Sequence, residues 1–232
     1  MRILAIDTST MFGSVALCDG DMLIAEEELG VEVTHSERLI STIDHLLQIS
    51  RWGRDSIDGI AVAIGPGSFT GLRIGLATAK GLAAGLKKPI AGVSSLLTLA
   101  YNGVLSDATV VSVIDARRGE VYAAAYKFLN DKPKCVMKEV AVAPELLSKK
   151  LKTMRGRVIL VGDGVVTYEK LFKRELKNRA LIRAQEFKFP RAFYLAQSAL
   201  KKLKKGGDNM AKLVPNYLRH SDAEIGFKGK KL

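Results

Sequence analysis

A chain of 232 residues, 47% hydrophobic and 26% charged, has room for one large or two small packed domains and the composition of a globular protein. That excludes large multidomain machines and the disordered and fibrous classes. Its longest apolar stretches, such as 60–64 and 82–86, fall far short of the roughly 18 residues needed to span a bilayer. Asp7 interrupts the apolar run that a secretory leader would continue, so the reading is a cytoplasmic protein without membrane contact. The formal charge of +12 is uneven. Residues 1–100 carry 8 Lys and Arg against 11 Asp and Glu, a net of −3, which leaves 28 against 13, or +15, for residues 101–232.

Along the chain, residues 3–6 form an apolar run ending at Asp7, 13–17 form a second, and Asp19-Gly20-Asp21 turns the chain into a third at 22–25. These read as three strands. Thr34-His35-Ser36-Glu37 fits a capping box opening a helix whose apolar stripe is Leu39, Ile40, Ile43, Leu46 and Leu47. A strand at 60–64 follows, then the loop Gly65-Pro66-Gly67-Ser68 and a helix over about 69–86, stopped by Lys87-Lys88-Pro89. A strand at 90–93 and a short helix at 96–101 complete the first half.

The second half repeats the opening. Val110-Val111-Ser112-Val113-Ile114-Asp115 echoes Leu4-Ala5-Ile6-Asp7, and 119–123 echoes 13–17. A helix after Pro144, a strand at 158–161 ending in Gly162-Asp163-Gly164, a helix through Leu171 and a last helix over 191–204 follow. The order predicts an α/β protein built from two ribonuclease-H-like units, 1–104 and 105–232, with the boundary near 103–107.

The segment 65–75 is the richest in chemical meaning. It is neither a Walker A loop nor GxGxxG. A glycine-rich turn entering a helix aims free N–H groups at a phosphate; equally, its glycines serve a tight turn. Gly67, Gly71, Gly75, Ala79 and Ala83 recur every four residues, and Ala77, Gly81 and Gly85 form a second row. Interior glycine costs about 1 kcal/mol against alanine, so close approach by another helix, in this chain or in a second subunit, is expected to compensate.

Asp7, with Thr8, Ser9 and Thr10, ends the first strand, where an acid holds a metal through water in actin-like nucleotide folds or else caps a local turn. Asp115 with Arg117 and Arg118 carries the same pair of readings. Cys18 and Cys135 stand far apart, and His35 and His45 are about 15 Å apart along a helix, so neither a disulfide scaffold nor a metal site is expected; His220 is alone. No catalytic triad spacing occurs.

Ile3-Leu4-Ala5-Ile6-Asp7-Thr8-Ser9, His35-Ser36-Glu37, the run 65–75, Asp115-Ala116-Arg117 with Glu120-Val121-Tyr122, and Pro215-Asn216-Tyr217-Leu218-Arg219 together resemble the TsaB family, also called YeaZ. The resemblance covers almost the whole chain. It implies an actin-like (ASKHA) fold and a non-catalytic scaffold subunit in the synthesis of threonylcarbamoyladenosine in tRNA. The implied partners are the catalytic relative TsaD, the ATPase TsaE, a second copy when the chain is alone, and tRNA indirectly through the complex. No cofactor is implied for the isolated chain, with ATP or ADP and magnesium entering in the complex.

TsaD carries Asn-His-x-x-x-His after the equivalent helix, where this chain has Ser95 and Leu99 at the histidine positions. Leucine ligates no metal, so the transfer reaction is expected to be absent. By family analogy and helical phase, the partner interface is expected at Ser36, Leu39, Ile43, Phe69, Leu72, Gly75 and Thr78, with a bulky residue at Gly75 abolishing TsaD binding in a folded monomer. The competing reading is a small actin-like ATPase or kinase holding a nucleotide at Asp7, Thr8, Ser9, Gly65 and Gly67. The lysines 149, 150 and 152, then 201, 202, 204 and 205, then 228, 230 and 231 read as solvated faces and tails or as weak phosphate contacts, with the group 201–205 the candidate for tRNA.

Overall fold

A computed structural model describes residues 1–30, 35–103, 108–130, 132–184 and 186–219, apart from the side chains of 35–37. The capping box at 34–37, His220 and the lysines beyond it lie outside what is described, as does most of the expected boundary at 103–107. Two five-stranded sheets form the frame. In the first, β1 (Arg2–Asp7), β2 (Gly13–Asp19) and β3 (Met22–Leu29) make an antiparallel meander, and β4 (Gly59–Gly65) and β5 (Ile90–Ser94) add in parallel, in the order β3-β2-β1-β4-β5.

The second sheet repeats the plan. In it β6 (Thr109–Arg117), β7 (Glu120–Leu129) and β8 (Lys132–Val142) form the meander, while β9 (Val158–Val161) and β10 (Ala180–Ile182) run parallel to β6, giving β8-β7-β6-β9-β10. The duplication expected from the β1 and β6 echo is therefore present as topology. Asp7 and Asp115 stand near the carboxyl ends of corresponding central strands.

Residues 3–6 of β1 are wholly buried because both faces of the sheet are covered, and such strands read as continuous apolar runs. Leu4 and Ile6 pack under α1 (His35–Ser50) and α2 (Phe69–Leu86), against Leu39, Ile43, Leu46, Leu76 and Ala79. Ser68 caps α2, its Oγ accepting from Gly71 N at 3.2 Å, and Lys87 closes the helix in the left-handed region at φ 54°. Ile3 and Ala5 face α7 (Ala192–Leu203), through Leu195, Ala196, Ala199 and Leu203.

In the second sheet Val111 and Val113 pack against α4 (Pro144–Thr153) and α6 (Glu169–Leu176), reached through the one-turn α5 (Asp163–Thr167). Its other face, with Val110 and Ile114, covers α3 (Ser95–Ala100). The helices are thus exchanged. α3 follows the first sheet yet packs on the second, and α7 follows the second sheet yet packs on the first.

The division at 104/105 assigned everything beyond it to one lobe, whereas α7 and the segment 208–216 lie against the first sheet, before Leu218 and Arg219 meet the second lobe again. From Asp208, whose N–H donates to Ile90 O at 2.7 Å and whose carboxylate accepts from Gly92 N at 2.8 Å, the chain runs back to Asn216, whose N–H donates to Ile64 O at 2.6 Å. β8 and β10 are strands that the sequence reading did not assign. In β8, lysines alternate with apolar residues and Pro133 intervenes, a composition tolerated because the strand is an edge.

Candidate functional site

The turn after β1 is closed upon itself. Asp7 is fully buried, and its Oδ1 accepts from Ser9 N at 2.8 Å and from Ser9 Oγ at 2.6 Å, while Oδ2 has no partner among the described residues. Desolvation pushes the Asp7 carboxyl up to about 6, against the opposing pull of the two Ser9 hydrogen bonds. Thr8 Oγ1 donates to Gly71 O at 2.7 Å, and Ser68 N donates to Ser9 O at 2.7 Å, so the turn is stitched to the start of α2.

The row of small residues on α2 serves that contact. A Cβ at Gly67 would stand 2.0 Å from Ser9 O, one at Gly71 2.0 Å from Thr8 O, and one at Gly75 2.2 Å from Thr8 Oγ1. Close approach was the correct inference from the spacing. The approaching element, however, is the chain's own β1–β2 turn rather than a partner helix. The backbone of Ser9 and Thr8 occupies the hollow that an anion cradle needs, and Thr8, Ser9 and Thr10 are buried with Asp7. Asp7, Thr8, Ser9 and Gly67 therefore come together in one packed joint, while Gly65 faces Leu72 and Asn216 instead.

The second row is different. Ala77, Gly81 and Gly85 are exposed, as is Ala84 next to them, and no described residue lies within 4 Å of a Cβ built at Gly81 or Gly85. Of the expected interface residues, Leu39, Ile43 and Leu72 are core, because helical phase turns that stripe toward the sheet, and Gly75 is enclosed by Thr8. Phe69 and Thr78 are half-buried, and the side chain of Ser36 lies outside those described. The exposed apolar residues of α1 are instead Ile40 and Ile49, 49% and 58% exposed.

The second lobe rebuilds the joint around Asp115. Its N–H donates to Asp163 Oδ1 at 3.0 Å, its Oδ1 accepts from Arg117 N at 2.8 Å, and its Oδ2 faces the Arg117 guanidinium at 3.5 Å. Gly162 lies against Val113 O, and Gly164 against Asp115 N, much as Gly67 and Gly71 lie against the first turn. Burial, reinforced by the neighbouring Asp115 charge and opposed by hydrogen bonds and Arg117, holds the Asp163 carboxyl up at about 6.

Between the two joints opens a cavity of about 600 Å³, lined by Ser9, Thr10, Gly67 and Ser68 on one side and Asp115, Arg117, Tyr122 and Asp163 on the other. Tyr217 and Arg219 also line it. Tyr217 stacks on Phe69 at 4.9 Å and its Oη accepts from Arg73 Nε at 3.0 Å, while Arg219 pairs with Glu120 at 3.2 Å. The role of Tyr217 and Arg219 is not legible in the sequence, since nothing local shows that a C-terminal segment returns to a cleft. Ser95 and Leu99 are both buried, Leu99 within an apolar cluster with Leu96 and Ile114. Among the described residues, no group of three or more His, Cys, Asp and Glu is placed to hold a metal, and no helix is long and apolar enough to cross a membrane.

Comparison with known proteins adds to this geometry. Residues 30–227 match the family model described as TsaD, tRNA N6-adenosine threonylcarbamoyltransferase. The tRNA threonylcarbamoyladenosine biosynthesis protein TsaB of Bacillus subtilis is 36% identical over 224 residues, spanning 97% of this chain and 96% of that protein. YeaZ from Pseudomonas aeruginosa superposes with a TM-score of 0.80 at 28% identity, over 94% of this chain and 99% of that one. A ROK family protein from Streptococcus pneumoniae, at 11% identity and a TM-score of 0.52 over 88% of this chain and 100% of that one, shares the fold alone and marks it as actin-like. With 36% identity to TsaB over nearly the whole of both chains, and a matching fold in YeaZ, the chain belongs to the TsaB (YeaZ) family of tRNA threonylcarbamoyladenosine biosynthesis proteins.

Proposed function

We propose that this chain is a non-catalytic scaffold subunit of the tRNA threonylcarbamoyladenosine machinery, docking through the exposed edge of α1 and α2 onto TsaD, or onto a second copy when TsaD is absent, with TsaE as a further partner. The observation that carries the reading is the state of the first-lobe joint. The glycine loop that would cradle a phosphate is filled by the chain's own Thr8–Ser9 backbone, and Asp7 has no access to a ligand. A chain whose chemical loop is spent on packing retains surfaces. The one with the geometry for close helix approach is the exposed row Ala77, Gly81 and Gly85 on α2, to which α1 adds the exposed Ile40.

The interface test moves accordingly from Gly75, where any side chain strikes Thr8, to Gly81. Gly81→Leu leaves the helix at least as stable as before, since leucine is the better helix former. It is expected to weaken co-purification with co-expressed TsaD at least tenfold, about 1.4 kcal/mol. Undiminished capture of TsaD by this variant would remove α2 from the interface.

The rival reading, an ATPase or kinase working at Asp7, has the inter-lobe cavity in its favour. For the isolated chain, calorimetric titration with ATP and magnesium is expected to give no saturable heat at millimolar nucleotide. Tight binding with turnover that Asp7→Ala abolishes is the result that would establish the enzyme instead. A nucleotide held only where TsaD and this chain meet stays compatible with the scaffold role, because its phosphates would not rest in the filled loop.

A further inference from the structure

The charge of the second lobe is concentrated at one end, a fact that only the topology reveals. Thr109, at the start of β6, pairs with Val158 at the start of β9, and Val158 pairs with Ala180 of β10. Val110 in turn pairs with Tyr126 of β7. The tip of the β7–β8 hairpin, the carboxyl end of α4 with the loop 154–157, and the segment 177–179 therefore lie together at the pole of the lobe opposite the cleft. Arg179 fastens the last two of these together, donating to the carbonyls of Lys152, Met154 and Gly156.

At this pole Lys127, Lys134, Lys149, Lys150, Arg155 and Arg157 are exposed, and none forms an ion pair with a described residue. The described acid in this neighbourhood, Glu175, is already held by Lys152 at 2.7 Å and Arg174 at 2.9 Å. Lys127 stands directly opposite Lys134 across the hairpin, an arrangement of like charges that costs stability in the free protein. Lysines on an exposed edge strand guard against strand-to-strand aggregation, which accounts for those of β8. It does not account for Lys127 on the inner strand β7, nor for the basic side chains that α4 and its following loop bring to the same end.

We infer that this basic pole is a binding surface for the phosphate backbone of RNA. Uncompensated cations gain by releasing the counterions condensed on a polyanion, and repulsion between Lys127 and Lys134 is relieved by the same contact. The pole presents no exposed aromatic side chain, since Phe128 at the hairpin is half-buried against Tyr101 at 5.1 Å. It is therefore suited to holding backbone and leaving base identity to other parts of an assembly. Lys202, one of the group 201–205 first considered for this role, is occupied, its Nζ donating to Gly92 O at 2.9 Å and meeting Asp208 at 3.1 Å. The choice of RNA over an acidic protein rests on the proposed place of the chain in tRNA modification.

The test uses the full chain and a fluorescent 17-nucleotide anticodon stem-loop, with binding followed by anisotropy across a salt series. The variant K127Q/K134Q/K150Q/R155Q is expected to bind at least tenfold more weakly at low salt and to lower the slope of log K against log salt by about 3 to 4, at about 0.9 per duplex phosphate contact. K201Q/K204Q/K205Q is expected to stay close to the parent, and melting curves verify that both variants fold. Absence of salt-dependent binding by the parent chain, an unchanged slope in the four-site variant, or an equal loss in the comparison variant overturns the inference. So does a poly-glutamate probe of equal charge that binds as tightly as the RNA, which would indicate an acidic protein. Co-purification with TsaD is measured on the same proteins. Retained TsaD with an unchanged RNA slope sinks this inference alone, and lost TsaD capture by the parent chain sinks the scaffold reading while leaving the RNA result to stand on its own.

Discussion

Gly71→Ala is expected to destabilise the protein by about 3 kcal/mol, at the upper end of what overpacking a well-ordered interior costs, whereas Gly81→Ala on the same helix is expected to stabilise it by up to about 1 kcal/mol. The two positions lie ten residues apart on α2 and involve the same added methyl group. At Gly71 that methyl meets the carbonyl oxygen of Thr8 at 2.0 Å, and the neighbouring groups have nowhere to go. Thr8 is tied back to Gly71 O through its hydroxyl, Ser68 N holds Ser9 O, and Ser9 holds the buried Asp7 carboxylate. Relief would require the end of β1 to part from α2, breaking a chain of buried hydrogen bonds. At Gly81 no described residue stands within 4 Å, so alanine only removes conformational freedom from the unfolded chain. Urea denaturation of both variants reads the difference directly. A cost at Gly71 below about 0.5 kcal/mol, the usual scatter of surface substitutions, would mean that the joint is soft and its loop open to a ligand after all.

These two glycines also illustrate how far the sequence alone reaches. A four-residue repeat of small side chains announces that something approaches the helix closely, and so it does, but a repeat on one helix does not name the approaching element. The identity of the β1–β2 turn at Gly71 and the emptiness at Gly81 are matters of rotation about the helix axis relative to a sheet assembled from distant residues. The same limit applies to Leu39, Ile43 and Leu72. An apolar stripe is evidence of burial, and the first thing available to bury it is the chain's own sheet.

The paired lobes were legible because a central buried strand ending in an acid is a strong local pattern, and it occurs twice, at Asp7 and Asp115. The outer strands were harder. β8 carries Lys132, Lys134 and Lys138 among its apolar residues, a pattern set by its exposed edge position more than by a core. The address of α7 was not legible at all, since Leu195, Ala199 and Leu203 state that one face is covered without stating by which sheet. The cleft shares that difficulty, for Tyr217 and Arg219 reach it only because Asp208 and Asn216 hold the returning chain against β5 and β4.

The burial of Asp7 is expected to appear as a pH dependence of stability that Asp7→Asn removes. The carboxyl titrates near 3.9 in the unfolded chain and is pushed up to about 6 in the folded one, chiefly by desolvation. Below about pH 4 both states hold the proton and this group contributes nothing to the slope. Between pH 4 and 6 the unfolded chain releases its proton while the folded chain keeps it, so rising pH favours unfolding. Above pH 6 the buried group ionises in both states, and the loss levels off at about 3 kcal/mol, from roughly 1.36 kcal/mol per unit of pKa difference. Asparagine keeps an oxygen for Ser9 N and Ser9 Oγ, but it carries no charge to bury. Its amide nitrogen inherits the unpartnered position of Oδ2, which imposes a cost independent of pH in this range. The informative quantity is therefore the stability of Asp7→Asn minus that of the parent. Measured by urea denaturation, it is expected to rise by about 3 kcal/mol from pH 4 to pH 8, with most of the change between 4 and 6. A difference that stays flat across that interval would mean that the Asp7 carboxylate is solvated or paired with a cation in solution, which is the condition a metal-holding aspartate at the head of a nucleotide cleft requires.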